Sequence, residues 1–237
     1  MLAPQLPLPI PTPVAQGEPD EGYPYRWSVY QWLEGSLAAS APIGDPVAFA
    51  TDLAGFLRAL EAVDSTGGPE PGQHNFFRGG PLAYYEGEAL EAIERLGEEI
   101  PRDAVQRTWA DAMASEWARD PVWFHGDVAG GNLLVRIPPV GAKAPGLAPS
   151  GRLAAVLDFG SSGVGDPACD MAIAWTFLSG EARDRFRTER GVDAATWSRG
   201  RGWTLWKSLI TMVGALEEDD DEAVTARRRE IAAIVAG

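Results

Sequence analysis

The spacing of apolar and polar positions changes character several times along this chain, and each change marks an element. Residues 6–17 set Leu, Ile and Val between prolines and stop at Gly17, and residues 18–22 have the composition of a turn. Aromatic and β-branched residues then dominate positions 27–33, which predicts a strand ended by Glu34 and Gly35. The prolines confine the first segment to an edge, so this pair needs further strands beside it. From Asp45 the period becomes helical. Asp45 is placed to cap, Pro46 fits the first turn, and Val47, Ala50, Leu53, Ala54, Leu57 and Leu60 share one face, which predicts a helix over residues 45–63. An irregular loop follows to Gly80, then helices at about residues 81–97 and 101–118, the second opened by Pro101. Residues 122–124 read as a short extended segment. Residues 133–135 and 153–157 read as two strands framing a Pro-, Gly- and Ala-rich hairpin tip over residues 137–151. Beyond Pro167 the pattern is helical to the end, broken near Ser179-Gly180, at Gly191 and at the acidic run 217–221. Strands first and helices afterwards predict an α+β protein with a large helical C-terminal part.

Composition narrows the classes. With 237 residues and 45% hydrophobic content the chain can bury a substantial core. Its one cysteine, Cys169, excludes an internal disulfide and zinc-type ligand clusters, and nothing points away from the cytoplasm. No apolar run approaches a membrane span, and the proline-broken N-terminus is no signal peptide. The formal charge of −14 disfavours nucleic acid and anionic membrane as partners. A cationic small molecule suits that charge better, although acidity serves solubility as readily.

The chemistry lies in two loops. Asp127 and Asn132 stand five positions apart after a short strand, and Asp158 ends another. One carboxylate for a hydroxyl and two oxygen ligands for Mg²⁺ are what phosphoryl transfer from ATP requires. Other features have plainer readings. Asp166 reads as the cap of the helix begun by Pro167. Residues 74–78 read as a loop stapled by two phenylalanines in preference to an acceptor-pocket wall. The 217–221 run reads as a solvated turn, and Trp175, Trp197, Trp203 and Trp206 as core. Residues 160–165 are glycine-rich but wrongly spaced for a dinucleotide fingerprint.

His125-Gly126-Asp127-x-x-x-x-Asn132, then Leu157-Asp158-Phe159-Gly160, then Gly165-Asp166-Pro167-Ala168-Cys169-Asp170 resemble the aminoglycoside phosphotransferase family. Gly126 stands where protein kinases carry the arginine of HRD. The resemblance implies a protein-kinase-like fold: a truncated N-lobe with its hinge over residues 1–35, and a mainly helical C-lobe over 36–237 with a catalytic-loop β-hairpin. It implies Asp127 as catalytic base, Asn132 and Asp158 as Mg²⁺ ligands, and His125 and Asp170 as supports of the catalytic loop. Residues 30–35 resemble the hinge, with the Gln31 carbonyl and the Leu33 N–H pairing with adenine of ATP. The implied acceptor is a small-molecule hydroxyl, an aminoglycoside first among candidates.

One part of the pattern is missing. The family places a phosphate-covering loop and a strand lysine before the hinge, whereas the 122 residues before Trp123 contain no lysine, and the only lysines are Lys143 and Lys207. Two explanations fit: a start chosen too far downstream, or a genuinely short chain with little or no kinase activity. The intact motifs favour the first. A non-catalytic binding module on the same helical lobe is the competing functional class.

Overall fold

The computed structural model describes residues 2–136 and 151–237, so nearly all of the expected hairpin tip lies outside the described residues. The chain opens with an antiparallel hairpin, β1 (Pro13–Gly17) and β2 (Trp27–Tyr30), which sets Ala15 opposite Val29 and Gln16 opposite Ser28. The first strand is shorter than predicted because Pro7, Pro9 and Pro11 have no N–H for a ladder. That stretch lies instead against a second sheet, where the Pro9 carbonyl accepts from the Val156 N–H (3.1 Å) and Ile10 is buried.

The second sheet is antiparallel, in the order β3 (Ser36–Leu37), β5 (Leu133–Val135), β6 (Leu153–Val156). A third pair joins β4 (Val122–Phe124) to β7 (Gly163–Gly165), with Trp123 opposite Val164. Strands β3 and β7 have no period long enough to read in sequence. Glycine is needed in β7 because the 67–80 loop presses on it: a Cβ on Gly165 would sit 2.3 Å from the Gly79 carbonyl oxygen.

Helices make up the rest. The first, α1 (Pro46–Glu61), is capped as predicted, Asp45 accepting from the Ala48 N–H (2.9 Å), and it buries Phe49, Leu53, Phe56, Leu57 and Leu60. The predicted 81–97 helix splits into a 3₁₀ turn and α2 (Glu86–Leu96). Next comes α3 (Arg102–Met113), which stops short of residue 118. Residues 114–121 leave the helix to cover Arg199, whose guanidinium lies 5.8 Å from the Trp117 ring and pairs with buried Asp166 at 2.7 Å. A 3₁₀ segment, Pro167–Ala172, leads into α4 (Ile173–Thr176), α5 (Gly180–Arg190), α6 (Ala194–Glu217) and α7 (Asp221–Ala236), with breaks where the sequence predicted them. The long α6 runs through the core and packs against α2, α3 and α7, burying Trp203, Leu205, Leu209 and Met212, while α1 packs on α5. The acidic run is the turn between α6 and α7: Asp220 caps α7 through the Ala223 N–H (2.9 Å), and Glu217 pairs with Arg95. Among the described residues no helix is long and apolar enough to cross a membrane.

The β1–β2 hairpin is open on both faces, with Val14 69%, Trp27 46% and Val29 45% exposed. Two strands without a packed face are marginal in water. Native-state hydrogen exchange is therefore expected to run about tenfold or more faster at β1 and β2 amides than at β5 and β6, reporting local opening of the hairpin. Equal protection of the two sheets would contradict this.

Candidate functional site

Each motif sits at the end of a paired strand. Strand β4 runs into His125, β5 begins directly after Asn132, and β6 stops just before Leu157-Asp158. Pairing of β5 with β6 continues past the strands, since the Leu157 N–H donates to the Asn132 carbonyl (2.8 Å).

His125 is fully buried and joins the loops. Its Nε2 lies 2.8 Å from the Leu157 carbonyl and its Nδ1 accepts from the Asp127 N–H at 3.2 Å. A carbonyl can only accept and an amide N–H can only donate, so the imidazole is the neutral Nε2–H tautomer. Asp170, on the 3₁₀ segment, completes the clamp. Its two carboxylate oxygens accept from the backbone N–H groups of His125 (2.8 Å) and Gly126 (2.7 Å). Asp170 is 1% exposed, and burial pushes its carboxyl above the ordinary range, opposed by those two hydrogen bonds.

Asn132 faces Asp127 directly. Its Nδ2 donates to the Asp127 carbonyl (2.9 Å) and to Asp127 Oδ2 (3.0 Å), which leaves Asn132 Oδ1 without a partner among the described residues. Asp158 is exposed and left-handed, at φ 59°, and its Oδ1 accepts from the Gly160 N–H (3.2 Å). A left-handed aspartate costs on the order of 1 kcal/mol and is typical of functional sites. Among the described residues no three His, Cys, Asp or Glu side chains gather as a metal cluster. The free oxygens of Asn132 and Asp158 nevertheless fit Mg²⁺, a hard ion that takes few protein oxygens and fills its shell from phosphate and water.

Two cavities border these residues. One, of about 720 Å³, is lined by Tyr30, Gln31, Trp32 and Leu33 on one side and by Leu134, Asp158 and Phe159 on the other. There the Gln31 N–H donates to the Thr12 carbonyl (2.9 Å), while the Gln31 carbonyl and the Leu33 N–H have no partner among the described residues. The other cavity, of about 270 Å³, is lined by Arg78, Asp127, Trp203 and Lys207, among others. A third, of about 340 Å³, lies by Asp166 and Arg199 and touches none of the motif residues beyond Gly165 and Asp166. Asp166 is the cap predicted, accepting from the Ala168 N–H (3.1 Å), and burial raises its carboxyl against the lowering effect of Arg199.

The sequence reading missed the cationic wall of the second cavity. Arg78 reaches within 3.9 Å of Asp127 Oδ1. Of the two phenylalanines expected to staple its loop to the core, Phe77 is half-buried and stacks at 3.7 Å on Tyr84, itself 56% exposed, and Phe76 is 61% exposed. Both take left-handed backbone, at φ 53° and 51°, and that double outlier was invisible in the sequence. Trp203 and Trp206 are core as expected, yet they also line this cavity. Lys207 gave no signal beyond being one of two lysines.

Short strands at the start of the chain, a largely helical remainder and the loops of Asp127–Asn132 and Asp158 at strand ends make up a protein-kinase-like fold. The chain belongs to the phosphotransferase enzyme family, whose profile matches residues 1–203. Among solved structures, the GDP complex of wild-type aminoglycoside 2'-phosphotransferase-IIIa is similar at 18% identity and a TM-score of 0.67, covering 99% of this chain and 78% of that one. A thermostable mutant of the aminoglycoside phosphotransferase APH(4)-Ia, in ternary complex with AMP-PNP and hygromycin B, is similar at 19% identity and a TM-score of 0.60, covering 97% and 77%. The macrolide 2'-phosphotransferase type I is similar at 18% identity and a TM-score of 0.57, covering 97% and 75%. No curated protein matches the chain.

Gly126 has φ 85°, and a Cβ there would lie 2.3 Å from the Ser161 carbonyl oxygen. Gly126→Ala should therefore destabilise the fold by about 2 kcal/mol or more, measured by urea unfolding. Asp170→Asn leaves one of the two loop N–H groups facing another donor, which should cost about 1–3 kcal/mol. Because burial raises Asp170 above 3.8, the native state holds its proton more tightly than the unfolded chain. Its contribution is full below that value and falls as pH rises through the raised pKa, so the gap between wild type and Asp170→Asn should narrow as the pH is raised above 3.8. A gap that widens over that range would contradict the assignment.

Proposed function

We propose that this site transfers the γ-phosphoryl group of ATP to a hydroxyl of a small molecule. The observation carrying this reading is the Asn132 amide donating to both the carboxylate and the carbonyl of Asp127 beside Asp158, with one cavity on the hinge side and another on the Asp127 side. Residues 1–35 supply the hinge side and residues 36–237 the lobe that carries the loops. The Gln31 carbonyl and the Leu33 N–H, both free of protein partners among the described residues, are suited to an adenine edge.

Asp127 accepts the hydrogen bond of the acceptor hydroxyl and orients its oxygen toward phosphorus. As the new O–P bond forms, the bond to the ADP bridging oxygen breaks and the hydroxyl proton passes to Asp127. Asn132 and Asp158 would hold Mg²⁺, which when bound would neutralise charge on the phosphate oxygens. The neutral His125 ring holds the Asp127 N–H and the Leu157 carbonyl in register and moves no proton. An aminoglycoside is the acceptor that the resemblance suggests and that the chain's net charge admits; the charges beside Asp127 favour another class.

A binding module without catalysis is the second reading. It is favoured by the absence of any Lys or Arg among the described residues lining the hinge-side cavity, which leaves the phosphates without a fixed cation there. One experiment separates the two. Asp127→Asn should lower acceptor-dependent ATP consumption by about 10²–10⁴-fold while leaving Mg·ATP binding, read by thermal shift, unchanged. Mg·ATP binding without turnover by the wild-type chain, across a panel of hydroxyl acceptors, would select the binding module.

A further inference from the structure

The polar groups around the cavity beside Asp127 are unevenly spent. Glu230, its one carboxylate other than Asp127 among the described residues, already pairs with Arg227 (2.7 Å) and accepts from the Ser208 hydroxyl. The Thr176 and Thr204 hydroxyls donate to the carbonyls of Ala172 (3.2 Å) and Gly200 (2.8 Å). Burial raises the Cys169 thiol well above its usual range and keeps it neutral. What remains is a set of donors. Lys207 has no carboxylate partner among the described residues and rests by the Trp206 ring at 6.0 Å. The Arg78 side chain makes no hydrogen bond among the described residues; its guanidinium lies 5.4 Å from the centre of the Phe76 ring and 3.9 Å from Asp127, and its five N–H donors are unspent. The Trp203 indole N–H is buried with no acceptor among the described residues. Three cations, Arg78, Lys207 and Arg227, face two carboxylates, Asp127 and Glu230, which leaves the wall with one positive charge in excess.

Net charge and local charge therefore disagree. The chain carries −14 overall, yet an exposed charge is screened beyond about 8 Å at physiological ionic strength, so what a bound acceptor feels is the wall around it. The volume agrees. About 270 Å³ is room for one sugar-sized unit between the walls.

We infer that the acceptor is a small hydroxylated oxyanion, a hydroxy carboxylate or a sugar phosphate, whose anion is held by Lys207 and Arg78 while its hydroxyl meets Asp127. This deepens the phosphotransferase reading and rests on it for the role of Asp127; the binding of the anion rests on the wall alone. Lys207 is exposed, so its replacement leaves the core untouched.

The test titrates the 237-residue chain by calorimetry at low salt with gluconate, glucose 6-phosphate, glucose and kanamycin, each with and without Mg·ATP. Gluconate or glucose 6-phosphate should bind at least about tenfold more tightly than glucose or kanamycin, and which of the two wins identifies the carboxylate or the phosphate. Lys207→Glu should remove that preference and Lys207→Arg should keep it. Kanamycin or glucose binding as tightly as the anions, an anion preference that survives Lys207→Glu, or no binding of any probe would overturn the inference. Anion binding without phosphoryl transfer would instead defeat the phosphotransferase reading and leave the anion site standing.

Discussion

One buried carboxylate holds the site in shape. Asp170 offers two oxygens to two consecutive backbone N–H groups, those of His125 and Gly126, and a hydroxyl in its place would offer only one. From there the order propagates outward. His125, pinned by its own N–H, bridges the Asp127 N–H and the Leu157 carbonyl, and Asn132 closes the ring by donating to Asp127. The side chains assigned to chemistry are thus positioned by backbone groups that cannot rotate away. This is why the clamp belongs inside the helical part, where water cannot compete for those N–H groups.

The short strands make sense on the same terms. None of β4, β5, β6 or β7 exceeds four residues, too few for a sheet that stabilises itself. Packing of β4 against α1 and the 3₁₀ segment and of β6 against α1 supports the pairs, and their role is to deliver loop ends to fixed points. Pairing β4 with β7 brings Gly126 against Ser161, close enough that only glycine fits, and pairing β5 with β6 brings Asn132 to Leu157. The hinge-side hairpin has no such backing among the described residues, so the site has one rigid wall and one soft one.

What the sequence made legible follows from locality. Asp45 and Asp166 cap helices as local rules require, since a cap needs only the next three residues. Asp127, Asn132, Asp158 and Asp170 stand out in the sequence because their order along the chain is itself a pattern, and the fold brings Asn132 to Asp127 and Asp170 to the loop before it. The misses share a cause. Strands β3 and β7 are too short to show a period, and α3 stops early because residues 114–121 are drawn over Arg199, which lies more than seventy positions away in the sequence. The prolines before β1 read as a strand, but the Pro9 carbonyl serves another sheet.

The cationic wall beside Asp127 was the least legible feature, and the reason is physical. Arg78 comes from a loop held in left-handed backbone, Lys207 from α6 and Arg227 from α7. Only the packing of α7 on α6 and of that loop on the helical core brings the three cations to one cavity. Composition points the opposite way, because it sums charges that solvent screens from one another: most of the 34 acidic residues cannot act at this cavity, while three basic ones do. Net charge therefore bears on what approaches the molecule, and the local wall on what stays. An acceptor that bound through net charge would weaken with salt whichever wall residue was changed, whereas one held by the wall depends on Lys207 by name.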